Sequence, residues 1–188
     1  MMEYVVVYPY FVESWTYRLP LVLKKKPDYL KGMLNLPGGK LNHGETPVDA
    51  AVRELLEETG LEQIQDYDPM CYCPADYLGF IQGKNSIIHC VRVPVSERQE
   101  LKPGVSEEEE IKWYKMPGLL NIPNLMPNLR IIIPLMDRNV QNWRIEDFDD
   151  GWREKSHHVV SLFFKGMEEN PVKIKVNAVG YYTWEEEE

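Results

Sequence analysis

The sequence predicts an α/β fold, and three observations carry that expectation. Runs rich in β-branched and aromatic residues, such as Tyr4 to Val12 and Ser86 to Val95, have the composition of strands. A strongly marked amphipathic helix is expected from about Pro47 to Thr59. Beyond about Val140 the pattern turns to strands again. One domain spanning residues 1–188 is expected, with a core over about 1–139 and a β-rich C-terminal extension over about 140–188.

Taken in order, Tyr4 to Val12 and Tyr17 to Lys24 read as the first strands, and Leu34-Asn35-Leu36 is a short apolar approach to the turn Pro37-Gly38-Gly39. The helix follows. Thr46 is placed to cap it, Pro47 has no amide hydrogen to lose in the first turn, and Asp49 completes a capping-box-like pattern near the positive helix end. Val48, Ala51, Val52 and Leu55 share one face, and Gly60 is the stop signal. Cys71 to Ile81 and Ser86 to Val95 are strands separated by Gly83-Lys84-Asn85, and Ile111 to Met116 is another. Asn128 to Met136 is a second helix, whose end Pro134 should disturb. In the extension, Asn142 to Phe148, His158 to Phe164 and Val172 to Val179 are strands, followed by a solvated glutamate tail.

Composition narrows the function classes. The formal charge is −9, but Glu107–Glu110 and Glu185–Glu188 supply eight negative charges, and the rest is nearly neutral. No broad basic face is implied, which argues against a dedicated DNA-binding module. Nothing approaches the roughly 18–20 apolar residues of a membrane helix. No targeting segment is visible, because Tyr4 to Val12 lacks a basic flank and is interrupted by Pro9. Cys71, Cys73 and Cys90 form no disulfide framework, so a cytoplasmic setting is expected.

The helix carries the chemistry. At about 100° per residue, Glu54, Glu57 and Glu58 span an arc of about 100° away from the apolar stripe. Like charges at this spacing cost a few tenths of a kcal/mol per pair. Arg53 is the one base in the helix body, four residues from Glu57. A hard divalent cation over that face rationalises the clustering, since magnesium takes oxygen ligands and shares positions with phosphate. Gly38 and Gly39 let the backbone approach a ligand, and Lys40 follows at once to meet a substrate phosphate.

Gly39-Lys40-Leu41-Asn42-His43-Gly44-Glu45, seven further residues, then Arg53-Glu54-Leu55-Leu56-Glu57-Glu58-Thr59-Gly60-Leu61 resembles a complete Nudix box, Gx5Ex7REUxEExGU. With residue types near ~7% usage, such a match arises on the order of 10⁻⁹ times per window. The resemblance implies an α/β/α sandwich around a mixed sheet. It implies Mg2+, with Mn2+ as a substitute, held by Glu54, Glu57, Glu58 and the Gly38 carbonyl. It also implies that Glu45 and Arg53 tie loop to helix, with Gly39 and Gly60 as structural support. The expected reaction is hydrolysis of a phosphoanhydride by metal-activated water. Glu54 is one candidate general base, and the run Glu107, Glu108, Glu109 and Glu110 offers others. A nucleotide-sensing module that retains the box and a diphosphate isomerase are the alternatives.

The expected partner is a nucleotide-type small molecule, a nucleoside diphosphate linked to another group. Tyr77, 16 residues beyond Leu61, resembles the dinucleoside polyphosphate hydrolases. The ADP-ribose subgroup has proline one position earlier, where Asp76 stands here, and Asn35 to Lys40 also occurs in members acting on nucleoside triphosphates. A plain strand tyrosine is the commoner explanation of such a residue and is preferred for Tyr77. Tyr8, Tyr10, Trp15, Tyr17 and Phe80 are candidates to stack on a base, though core packing is the commoner fate of such residues. Cys71, Cys73, His89 and Cys90 lack the spacing of a zinc knuckle. His157-His158 reads as a surface pair preceding a strand. The extension is assigned to shaping the pocket, covering a sheet edge or forming a homodimer.

Overall fold

The computed structural model describes residues 1–11, 18–64, 74–83, 85–96, 98–102, 110–116 and 118–137, and the backbone of four strands between 143 and 184. Strands β1 (Met2–Phe11), β2 (Arg18–Leu23) and β3 (Leu34–Asn35) precede helix α1 (Pro47–Thr59). Strands β4 (Asp76–Gly83), β5 (Ser86–Val95) and β6 (Glu110–Lys115) precede helix α2 (Leu129–Asp137). The chain continues with β7 (Trp143–Phe148), β8 (His157–Phe164), β9 (Val172–Asn177) and β10 (Tyr182–Trp184).

A mixed sheet runs β1-β5-β4-β7-β8-β9-β10, and a smaller sheet runs β3-β2-β6. β1 pairs with β5 in parallel, β5 with β4 antiparallel, and β4 with β7 in parallel. The period of two along β1 explains the layering. Val5 and Val7 project to one face, with Ala50, Ala51 and Leu55 of α1. Val6 and Tyr8 project to the other, with Ile132, Ile133 and Met136 of α2 and Leu19 and Leu21 of β2. A strand buried on both faces must be apolar throughout, hence Val5-Val6-Val7. The fold is thus the helix–sheet–helix sandwich that the resemblance implied.

The helix boundaries follow their caps. Thr46 Oγ1 accepts the Asp49 N–H at 3.2 Å, and its hydroxyl donates to Asp49 Oδ2 at 2.6 Å. Gly60 adopts φ +71° and donates its N–H to the Leu56 carbonyl, closing the helix. α2 departs from expectation, because Pro134 lies inside the helix, which continues to Asp137. Proline removes one backbone bond, at a cost of about 3 kcal/mol. Burial of Ile131, Ile132, Ile133 and Met136 outweighs it, at ~1.5–3 kcal/mol for each such side chain.

Other differences are local. β4 begins at Asp76, and Cys71 and Cys73 lie outside the described residues, as do Trp15 and Tyr17. His157 and His158 belong to β8 rather than preceding it. β9 ends at Asn177, and β10 adds a strand that the sequence reading missed. β7 pairs with β4, so the strands after residue 140 continue the sheet of the core. Among the described residues no helix is long and apolar enough to cross a membrane.

Candidate active site

The site forms where the segment after β3 turns along the free edge of β1. The Val7 N–H donates to the Pro37 carbonyl at 2.8 Å, the Val5 N–H to Gly39 at 2.9 Å, and the Leu41 N–H to Glu3 at 3.1 Å. This zipper lays Gly38 and Gly39 flat against α1. A Cβ on Gly38 would sit 2.1 Å from the Val5 carbonyl oxygen, and one on Gly39 would sit 2.3 Å from Glu54 Oε1. At Gly38 the obstacle is backbone, so glycine is required there by close approach, whereas at Gly39 it is the end of a side chain.

Arg53 organises the carboxylates. Its Nε donates to Glu45 Oε1 at 2.8 Å and its Nη2 to Glu45 Oε2 at 3.0 Å, a two-pronged fork. Its Nη1 reaches Glu54 Oε1 at 2.7 Å and Glu57 Oε2 at 3.1 Å. Nη2 also donates to the Lys40 carbonyl at 3.2 Å. A planar guanidinium with five donors suits this task, which a lysine could not perform. Glu58 stands beside this group, with Oε2 accepting the Gly38 N–H at 2.8 Å and Oε1 facing Lys24 Nζ at 3.1 Å. Exposure separates the three helix glutamates: 12% for the Glu54 side chain, 17% for Glu58 and 54% for Glu57.

The fork on Arg53, with the Asn42 N–H, pulls Glu45 down to about 2. The same partner holds Arg53 firmly charged. A depressed carboxylate stabilises the fold above its unfolded value of about 4.5, and that contribution is lost as pH falls through about 2. The melting temperature of the wild type should therefore exceed that of Glu45→Gln at about pH 6, and the gap should narrow steadily below about pH 4.5. A gap independent of pH would show that Glu45 acts by packing alone.

Gly38, Gly39, Lys40, Glu45, Arg53, Glu54, Glu57 and Glu58 are thus brought together. Lys24 joins them without having been foreseen, because a residue just past the end of β2, 34 positions before Glu58, carries no local signal. The Lys40 side chain is exposed at the turn. Glu110 opens β6 opposite Leu23, the residue before Lys24, and pairs with Lys112. Glu107, Glu108 and Glu109 lie outside the described residues.

Tyr77 belongs to a separate polar row across three strands. Its hydroxyl lies 3.1 Å from His89 Nδ1, and His89 Nε2 lies 3.1 Å from Glu3 Oε2. An ionised carboxylate only accepts, so Nε2 donates to Glu3. Burial first, then nearby negative charge, raises Tyr77 to about 12. Tyr8, a stacking candidate, is instead buried, and its hydroxyl donates to Asp137 at 2.6 Å. Tyr10 lies under the Arg92 guanidinium, 4.2 Å from its ring centroid. Cys90 is buried on the α2 side, whereas His89 is engaged by Tyr77 and Glu3.

The fold and this carboxylate-rich turn and helix define the class, and the comparisons with known proteins agree. A family model for the NUDIX domain matches residues 15–136, and the chain belongs to that family. It is 24% identical over 147 residues to the NAD-capped RNA hydrolase NudC of Vibrio vulnificus, covering 76% of this chain and 51% of that protein. It is 51% identical over 41 residues to an ADP-ribose pyrophosphatase of Methanocaldococcus jannaschii, covering 22% of this chain and 24% of that one. The chain spans about half or less of the length of these curated relatives. Among solved structures, the NUDIX domain of Shewanella oneidensis NrtR, complexed with ADP ribose, superposes with a TM-score of 0.57 at 18% identity, covering 73% of this chain and 87% of that one. A MutT protein from Bacillus halodurans gives 0.56 at 17% identity, covering 78% and 90%. At such identities the likeness speaks for the fold.

Members of this family generally use a divalent metal. The donor set here fits one in kind, since three hard carboxylates share a helix face beside two glycines that carry no side chain. Among the described residues, no three His, Cys, Asp or Glu side chains converge on one metal position. Glu54 and Glu57 turn to Arg53, and Glu58 to Lys24 and Gly38. Two organic cations and one backbone amide thus engage these carboxylate oxygens.

Proposed function

We propose that this protein is a Mg2+-dependent hydrolase of a phosphoanhydride bond, in a nucleoside diphosphate linked to another group. The observation that carries the reading is the convergence of Glu45, Glu54 and Glu57 on one guanidinium, with Glu58 alongside on the Gly38 amide. Like charges are not gathered this way on a merely solvated helix face. Glu54, Glu57, Glu58 and the Gly38 carbonyl would hold the ion. A bound divalent ion would neutralise diphosphate oxygens and acidify water.

The chain's own residues divide the remaining work. Arg53 holds the carboxylates close together, and Glu45 anchors Arg53 to the turn. Glu54, packed under Gly39, is placed to receive a proton from water, with Glu110 and its acidic neighbours as the rival base. Lys40, at the exposed turn, meets a phosphate. The names of the relatives support a nucleotide-type substrate, and ADP-ribose, dinucleoside polyphosphates and (d)NTPs are the classes to compare.

The test is incubation with Mg2+ and a panel of ADP-ribose, dinucleoside polyphosphates, NADH, nucleotide sugars, capped RNA and (d)NTPs, with products read by chromatography. Metal-dependent cleavage of at least one supports the reading, and cleavage of none favours a nucleotide-binding module. Tyr77→Ala should raise KM for a dinucleotide substrate more than for the others. Equal effects on all substrates would remove Tyr77 as a specificity determinant.

A further inference from the structure

Lys24 occupies an unusual place for a surface-type residue. Its backbone is held at both ends, with the Lys24 N–H donating to the Met33 carbonyl at 2.9 Å and the Gly32 N–H donating to the Lys24 carbonyl at 2.8 Å. The side chain runs inward from that anchor, and both it and Glu58 are largely covered, at 12% and 17% exposure. With Oε2 on the Gly38 amide, Glu58 presents Oε1 to the ammonium. An ammonium is a compact charge on a flexible stem, so it can leave such a contact while its backbone stays fixed.

We propose that Lys24 is an exchangeable cation at Glu58. Lys24 balances the Glu58 charge and holds the carboxylate towards the Gly38 turn. When a divalent ion takes Oε1, Lys24 gives way, because two cations at one largely covered oxygen repel strongly. The displaced ammonium then finds its countercharge on the phosphate of the substrate. Metal and nucleotide binding are thereby coupled, with the ion binding weakly alone and more tightly once nucleotide is present. The proposal rests on the reading of Glu58 as a metal ligand. It makes Lys24 a positioning residue with a sign that a structural prop would not have.

The sign is testable by titrating the wild-type protein with Mn2+, followed by the paramagnetic resonance of the free ion, with and without ADP. Lys24→Met removes the competing charge, and should bind Mn2+ about tenfold tighter than wild type without ADP, while losing the tightening that ADP confers. Lys24→Arg keeps the charge and should retain the coupling. Lys24→Gln, which preserves length and a donor to Glu58, repeats the test should the methionine variant fold poorly. Equal or weaker Mn2+ binding by both uncharged variants, beside a wild type that binds, would overturn the exchange alone. No Mn2+ binding by the wild type would overturn the ligand assignment of Glu58 and the exchange with it.

Discussion

Glu57→Gln should lower turnover by on the order of 10²–10³-fold, the usual loss when one preorganised electrostatic element of a site is removed. It should do so with little change in stability. Glu57 is the most exposed of the three helix glutamates, and its contact with Arg53 is an i,i+4 surface pair. Such pairs contribute about 0.3–0.5 kcal/mol. The amide is nearly isosteric and still offers an oxygen to Arg53, so the helix face keeps its shape while losing one negative charge. Steady-state kinetics over a range of Mg2+ concentration, with thermal melting of both proteins, checks both halves. Wild-type turnover in the variant would show that Glu57 has no part in holding the ion.

The largest effect on stability is expected from Gly38→Ala. The added carbon would lie 2.1 Å from the Val5 carbonyl oxygen, at a backbone φ of +152° that residues with a side chain rarely adopt. The obstacle is backbone of β1, whose two faces carry both halves of the core, so it has little room to yield. Overpacking costs about 1–3 kcal/mol and an unfavourable φ about as much again. For a chain of this size, the sum lowers the melting temperature by roughly 5–20 °C. Gly39→Ala provides the contrast. There the obstacle is the end of the Glu54 side chain, which can swing away. That variant should melt close to wild type and lose activity, because the displaced carboxylate is the proposed base. A Gly38→Ala protein as stable as wild type would mean that the turn can move off β1.

Several elements were legible in the sequence because their causes are local. The ends of α1 depend on Thr46, Pro47 and Gly60, each acting within a turn of itself, and both boundaries agree with the structure. The limits of β5 follow from an apolar run between turn residues. The box residues belong here too, since the spacing that places Glu54 and Glu57 around Arg53 is set by helix geometry. Tyr8 and Tyr10 were not separable in this way. Both look like available aromatics, and only packing shows that one is bonded to Asp137 and the other lies under Arg92. Pro134 reads as a helix breaker, and only the surrounding core explains why α2 passes through it.

The sequence by itself determined the family, the helix and the charges gathered upon it, because these rest on spacing within one turn–helix segment. The tertiary structure decided what that segment meets. The pairing of residues 37–41 with β1 presses Gly38 and Gly39 flat, and the end of β2 brings Lys24 to Glu58 across 34 positions of chain. No local propensity encodes such a contact, since it exists only once burial of the β1 valines has brought sheet, turn and helix together.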